Sequence, residues 1–491
     1  MPPTRNRLSK SRLNAFRQCP KRLWLEVHRS DLKVESAEVQ ARYAVGHRVG
    51  EIAQHDYPDG ILIAPDNNLA QALADTPPAL QQGRPLFEAT FEHAGLLVRA
   101  DLLLPSGAGW HMAEVKSTAG AKDYHFPDIA AQVWVAQNCG VAIQHATLRH
   151  IDTGFVLRAD GNYTGLLTDA DADAPVQTLL PTMPATVQQA RATLDGAEPV
   201  VAMGEQCTTP FDCPFQAYCG KDVAPGPDYP VMLLPGIAGK KLGRALLAEG
   251  VADLQKVPAS RMPNALLQRI HSATTSATPF HDRAGAARAM VGWAWPRYYL
   301  DFETIALAVP VWLGTRPFEQ TPFQFSCHLA ASDGSLLQRG FLDLSGRNPS
   351  RACAEALLDA IGPVGAIVAY NASFERRCIS GLAAQFADLA PRLEQLAQRV
   401  VDLLPLVKQN FYHRDMHGSF SIKAVLPTLV PQLRYEDLDG VQGGIMAQLA
   451  YTEATALACA PERKAQLGEQ LAAYCALDTL AMVELARALV E

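Results

Sequence analysis

Residues 98–116, VRADLLLPSGAGWHMAEVK, limit the fold more than any other stretch of the chain. Residues 96–104 are an apolar run ending at a Pro-Ser-Gly turn, and residues 110–116 return beside it, so the pattern predicts a β-hairpin. This hairpin carries charge where a core strand should have none. Asp101 lies in its first strand, and Glu114 and Lys116 lie two apart in its second. The two-residue period of a strand puts Glu114 and Lys116 on one face, next to Asp101 across the pair. Two carboxylates and a lysine converging on an apolar sheet are costly to bury unless they bind something. Hard oxygen ligands favour Mg²⁺ or Mn²⁺, and a neighbouring ammonium can hold a phosphate or orient a water. A solvated hairpin with incidental charges is the plainer alternative.

An Asp followed at a distance by Glu-Val-Lys resembles the signature of the PD-(D/E)XK nucleases, in their RecB-like branch. The resemblance implies that Asp101 and Glu114 bind metal, that the Val115 carbonyl contributes, and that Lys116 assists the attacking water. It also implies an upstream histidine ligand, matched by His47 in the segment RYAVGHRVGEIA. A glutamine on the following helix is matched by Gln132 in DIAAQVWVAQNCG. Ala136 stands where that branch usually has a tyrosine.

A length of 491 residues corresponds to about three domains, and 48% apolar residues suffice for full cores. No apolar run is long enough to span a membrane, and the basic N-terminus lacks the apolar stretch of a secretory signal. A cytoplasmic location is expected, where the ten cysteines are reduced thiols or cofactor ligands. The net charge of −7 argues against a nucleic-acid-attracting field over the whole chain, so local charge decides.

Residues 5–33 are strongly basic, with Arg5, Arg7, Lys10, Arg12, Arg17, Lys21, Arg22, Arg29 and Lys33 against Glu26 and Asp31. They predict a helix from Ser9 or Ser11 with Leu13 and Phe16 inward, broken at Cys19-Pro20. A second short helix carries Leu23, Trp24 and Val27. These helices are either a solvated basic face or a nucleic-acid contact through Arg12, Lys21 and Arg22. Far downstream, Cys207, Cys213 and Cys219 form a C-x5-C-x5-C array that needs a fourth ligand, and Cys19 is the candidate. Cys19 and Cys213 are each followed by proline, as cluster cysteines often are. One cysteine before the nuclease core and three after it resemble the iron–sulfur RecB-like nucleases, including AddB and the CRISPR-associated nuclease of spacer acquisition. That resemblance implies a 4Fe–4S cluster clasping the two ends of the domain. Zinc on the same four thiolates, or four free buried cysteines, are the alternatives. The other six cysteines read as core.

After a PGPDYP linker, residues 234–258 resemble a helix-hairpin-helix unit. Gly236 and Gly239, with Lys240 and Lys241, would then face a DNA phosphate. An ordinary helical connector is the alternative. A second centre opens at Asp301 and Glu303, two apart in an apolar strand. Strand 366–370 leads to Asn371, Phe374 and Glu375 at the start of a helix, Asp402 follows, and Tyr474 and Asp478 share a helical face at i, i+4. This order resembles the DEDDy 3′–5′ exonucleases of the ribonuclease H-like fold, with Glu375 where that family has Asp. The family's mechanism puts two metal ions on Asp301, Glu303, Glu375 and Asp478, and Tyr474 orients the attacking water. Asp402 reads as structural. With the segment GSFSIKAVLP, the whole resembles a bacterial family described only as a domain of unknown function, family 2779.

The expectation is an α/β protein in three parts. A PD-(D/E)XK restriction-endonuclease-like domain with an iron–sulfur cluster spans 1–222. A helical connector spans 223–292, and a ribonuclease H-like exonuclease domain spans 293–491. Both centres would hydrolyse phosphodiester bonds with Mg²⁺ or Mn²⁺ in repair, recombination or defence, acting on nucleic acid, with DNA single strands or ends favoured. No Walker A sequence occurs, so any helicase is a separate partner. The alternative is a nucleic-acid-binding scaffold whose second domain has lost catalysis.

Overall fold

The computed structural model describes residues 7–34, 37–64, 68–221, 223 and 225–491, so Arg5 of the basic segment lies outside the described residues. The protein is mixed α/β and divides into two units. One comprises Met1–Ala224 and Leu307–Glu319, the other Pro225–Ala306 and Gln320–Glu491. Among the described residues, no helix is long and apolar enough to cross a membrane.

In the first unit, β1 (Leu8–Ser9) leads into α1 (Lys10–Gln18), whose first turn is capped by the Ser9 hydroxyl accepting the Arg12 N–H. Cys19 is extended, and Pro20 opens α2 (Pro20–His28), where its missing N–H costs nothing. Both helices lie where the sequence expects them. There follow α3 (Ala37–His55), β2 (Ile61–Leu62), α4 (Leu69–Leu80), β3 (Leu86–His93), β4 (Leu96–Ser106), β5 (Gly109–Lys116), α5 (Phe126–Asn138) and β6 (Ile143–Ile151). The unit continues through β7 (Leu167–Asp171), α6 (Asp173–Leu179), α7 (Met183–Asp195) and α8 (Gln216–Cys219). The sheet order is β2-β3-β4-β5-β6-β7, with β1 parallel to β4. The hairpin turns two residues later than expected, at Gly107-Ala108, where Gly107 takes φ 55°. Pro105 stays within β4 because β3 pairs no further than Leu103, leaving that side of β4 free of a ladder. β5 and β6 are parallel and joined by α5, which is buried from Asp128 to Ala136 against Leu96, Val98, Met112 and Leu148.

The second unit begins with α9 (Gly236–Ala248), α10 (Ala265–Ser276), β8 (Phe280–His281) and α11 (Arg283–Met290). Its main sheet comes from β9 (Arg297–Ile305), β10 (Thr321–Ala330) and β11 (Leu336–Leu342), then α12 (Ser350–Ala360), β12 (Ala366–Ala369), α13 (Ser373–Gln385), α14 (Ala390–Gln398) and β13 (Val400–Asp402). The chain closes through α15 (Leu403–Asn410), β14 (Phe411–Tyr412), α16 (Ile422–Leu429), α17 (Gly444–Thr455) and α18 (Pro461–Ala488). Strand order is β11-β10-β9-β12-β13, the first three antiparallel and the last two parallel to β9. Alternation divides β9 cleanly. Leu300 and Phe302 join Leu357, Ile367, Ile379 and Leu393 in the core, so Asp301 and Glu303 point to the other face. That face is covered by α18, which bonds to β10 through Thr479 Oγ1 to Ser326 Oγ and His328 Nδ1, each at 2.8 Å, and through Leu471 O to Gln324 Nε2 at 2.7 Å.

Gly365, entering β12, has φ 99°, and a Cβ there would lie 2.0 Å from the Pro296 carbonyl oxygen just before β9. Gly365→Ala is expected to destabilise the second unit by on the order of 2–4 kcal/mol through backbone strain and steric overlap. Denaturant unfolding followed by circular dichroism measures this, and a change below about 0.5 kcal/mol, the range of an inert surface substitution, would contradict it.

Candidate functional sites

In the first unit the β3–β4 ladder pairs Phe87 with Leu102 and Ala89 with Ala100, skipping Glu88 and Asp101. Glu88 takes φ 59°, a value uncommon for a non-glycine residue, and such irregularities re-aim side chains. Asp101 Oδ2 accepts the Val115 N–H at 2.8 Å. Next to it Glu114, 2% exposed, accepts Lys116 Nζ at 2.7 Å and Lys10 Nζ at 2.8 Å on Oε1, and Gln132 Nε2 at 2.5 Å on Oε2. Lys116 also donates to Asp128 Oδ2 at 2.6 Å, and Asn14 Nδ2 donates to Asp128 Oδ1 at 3.1 Å. Burial and Asp101 push the Glu114 carboxyl upward, but Lys10 and Lys116 outweigh them and its pKa is lowered. Burial also works against the Lys116 ammonium, yet Glu114 and Asp128 raise its pKa. His125, buried close to Lys116, is pushed down to about 4 and is neutral.

The hairpin therefore brings Asp101, Glu114, Val115, Lys116 and Gln132 together. Lys10 and Asp128 belong to the same cluster and were not singled out in the sequence. Asp128 was findable, since it stands four residues before Gln132 on one helical face. Lys10 was indistinguishable from its basic neighbours. His47 is exposed on α3 and, among the described residues, joins no group of metal-ligating side chains with Asp101 and Glu114.

Cys19, Cys207, Cys213 and Cys219 line one small pocket, together with Lys21, Arg22, Leu25 and Met203. Gln18 Nε2 donates to the carbonyls of Gln206 and Phe211, both at 2.7 Å, tying the end of α1 to the cysteine loop. The Cys213 N–H bonds to Cys207 O at 2.8 Å and folds that loop back on itself. Burial raises the pKa of Cys213 and Cys219, and nearby Cys19 adds to both shifts. Lys21 pairs with Glu198 at 3.0 Å, Arg22 pairs with Glu26 at 3.0 Å, and Arg12 donates to Arg7 O at 2.6 Å, so all three bond within the chain.

In the second unit Asp301, Glu303 and Asp478 place their oxygens within 4.8 Å of one another. Glu303 and Asp478 are each 7% exposed. Burial and then mutual repulsion raise Asp301 well above the carboxylate range and Glu303 to about 8. Two tyrosines support the group. Tyr435 donates to Asp478 Oδ1 at 2.5 Å, and Tyr474 is also hydrogen-bonded to Asp478. Lys423 Nζ lies 4.9 Å from the Tyr435 ring centre and 5.3 Å from that of Tyr474, and it donates to the Gln442 carbonyl. Glu375, in the first turn of α13, is 2% exposed and raised to about 7, mainly by burial. It lies outside the three-acid group, although its charge reaches Asp301, and its Oε2 has no hydrogen-bond partner. Asp402 Oδ1 accepts the N–H groups of Asn371 and Leu404, both at 3.0 Å, and caps α15. Tyr435 and Lys423 carry no local signal, because the chain brings them from a 3₁₀ turn and from α16.

The stretch expected as a helix-hairpin-helix holds a single α-helix, α9, between short 3₁₀ turns. Gly236 has φ 71°, while Gly239 sits so close to Leu234 that a Cβ would lie 2.8 Å from its carbonyl oxygen. Lys240 donates to the Met232 carbonyl, and Lys241 is exposed. The glycine spacing thus seats α9 on its own leading turn.

A family model described as "Domain of unknown function (DUF2779)" matches residues 298–421. That span contains Asp301, Glu303, Glu375 and Asp402, but neither Tyr474 nor Asp478. No curated protein and no solved structure matches the chain.

Glu303 at about 8 stands above its ordinary 4.5, so between those pH values the folded protein keeps a proton that the unfolded chain releases. Its contribution to stability is complete below the lower value and lost as pH rises through the upper one. Calorimetry in chelator should show the unfolding temperature of the second unit falling between pH 4.5 and 8, with a flatter slope in Glu303→Gln. An equal slope in that variant would remove Glu303 as the cause.

Proposed function

We propose that this protein is a divalent-metal-dependent nuclease with two hydrolytic centres, one in each unit. The observation that carries this reading is the convergence of Asp301, Glu303 and Asp478. Three carboxylates this close, Glu303 and Asp478 buried and Asp301 half-buried, repel one another unless they share a cation or take up protons, and a metal ion is the occupant their donor chemistry fits. Bound there, Mg²⁺ or Mn²⁺ would polarise a phosphodiester and lower the pKa of a bound water. Asp301, Glu303 and Asp478 would hold the ion. Tyr474, already bonded to Asp478, would orient an attacking water. Strand order β11-β10-β9-β12-β13, with α18 across one face, supports a ribonuclease H-like reading of the second unit. In the first unit, Asp101 and Glu114 are the metal-binding acids, and Lys116 steadies the water or the developing charge. The β3-β4-β5 meander of the seven-stranded sheet, with α5 crossing from β5 to the parallel β6, supports a PD-(D/E)XK reading there.

Four thiols lining one pocket support a 4Fe–4S cluster, although among the described residues they form no close metal-ligating group, and zinc is the competing occupant. Anaerobically purified protein should contain iron and acid-labile sulfide, and Cys213→Ser should lose both. Stoichiometric zinc without labile sulfide would rule out the cluster.

One observation favours a second reading for the second unit. Glu375 lies outside the acid group with an unpartnered oxygen, as in a binding module that has lost catalysis. End-labelled single- and double-stranded DNA and RNA, incubated with Mg²⁺ or Mn²⁺, separate these readings. Lys116→Ala should lower one cleavage activity by about 10²–10³ and leave a second, which Asp301→Ala abolishes. If the Lys116→Ala protein is inert on every substrate and its Mn²⁺ binding ignores Asp301→Ala, the second unit is a binding module.

A further inference from the structure

Glu114 carries two ammonium groups on one oxygen, Oε1, which fills that oxygen's acceptor capacity. Oε1 accepts both Lys10 at 2.8 Å and Lys116 at 2.7 Å, and Oε2 accepts Gln132 at 2.5 Å. With both lone pairs of Oε1 taken by ammonium groups and the side chain 2% exposed, an incoming ion can ligate that oxygen only if a lysine leaves, while Oε2 holds Gln132 alone. An ammonium cannot stay on the oxygen that a dication takes, because like charges at contact distance repel strongly in a poorly solvated site.

The three donors are held differently. Gln132 is fully buried on α5. Lys116 stands on β5, where it pairs with His150 of β6, and its second bond to Asp128 is short at 2.6 Å. Lys10 is the first residue of α1, and its second approach to Asp128 is long, at 3.8 Å. Lys10 therefore makes the longest contacts of the three, and Asp128 offers its ammonium somewhere to go.

Building on the nuclease reading of this hairpin, we propose that Lys10 is a built-in cation that occupies Glu114 until a divalent ion displaces it. Lys10 thereby sets the metal affinity of the first unit. A site of this design keeps its carboxylate in place without metal and binds the ion more weakly than the bare acids would.

The test is calorimetric titration of Mn²⁺ into full-length Asp301→Ala protein, in which the second acid group is disabled. Lys10→Gln and Lys10→Met should each bind Mn²⁺ about tenfold more tightly, equivalent to about 1.4 kcal/mol of competition removed. Lys10→Arg, which keeps the charge, should stay near the parent affinity. Lys10→Gln retains a donor to Glu114, and its circular dichroism and unfolding temperature guard against a folding defect. If folded Lys10→Gln binds no tighter while Glu114→Gln abolishes binding, Lys10 is not a competitor and the metal reading of the hairpin stands. If Glu114→Gln leaves Mn²⁺ binding unchanged, the hairpin binds no metal and both readings fall.

Discussion

Close-packed carboxylates repel one another, and each unit of this protein nevertheless gathers several between one sheet face and the helix that covers it. The two units balance that repulsion in opposite ways. In the first, Lys10 and Lys116 close on Glu114 and hold its pKa below the ordinary value despite burial and Asp101. In the second, no lysine bonds directly to the acids, so Glu303 rises to about 8 and Asp301 well above its usual range. Lys423, above the rings of Tyr435 and Tyr474, tempers Glu303 and Asp478 through its charge without bonding to them. One centre thus stays ionised through its own cations, whereas the other stores protons that a metal ion would release.

Both acid groups sit where a ladder is interrupted. Glu88 takes a left-handed φ beside Asp101, and the β9–β10 register shifts between Pro322 and Gln324, next to Glu303. An unbroken ladder would continue strict alternation, whereas a local irregularity turns a polar side chain without opening the sheet. In each case a helix covers the acid face and adds polar groups. Asp128 and Gln132 come from α5, and Tyr474 and Asp478 from α18. The sheet fixes the spacing of the acids, and the covering helix removes water and sets their charge.

α1 ties two features of the first unit together. Its first residue, Lys10, reaches Glu114, and the residue after its last, Cys19, faces the cysteine pocket. Gln18 fastens the same helix end to the cysteine loop. Nine residues of helix have little freedom to bend, so whatever fills the pocket also fixes the angle from which Lys10 approaches.

Local pattern alone determined the helix break at Cys19-Pro20, the acidic hairpin, the alternation that sends Asp301 and Glu303 to one face, and the pairing of Tyr474 with Asp478 on α18. Each follows from a two-residue or 3.6-residue period and from proline's missing N–H, all of which are written in adjacent residues. Only the tertiary structure decided that Lys10 meets Glu114 across 104 positions, that Tyr435 reaches Asp478 across 43, and that Glu375 stays outside the acid group. It also set Gly239 and Gly243 of α9 against the turn before them and placed Lys21 and Arg22 in ion pairs. Charge carries no period, so a lysine in a basic run looks like its neighbours until the fold brings a carboxylate within reach.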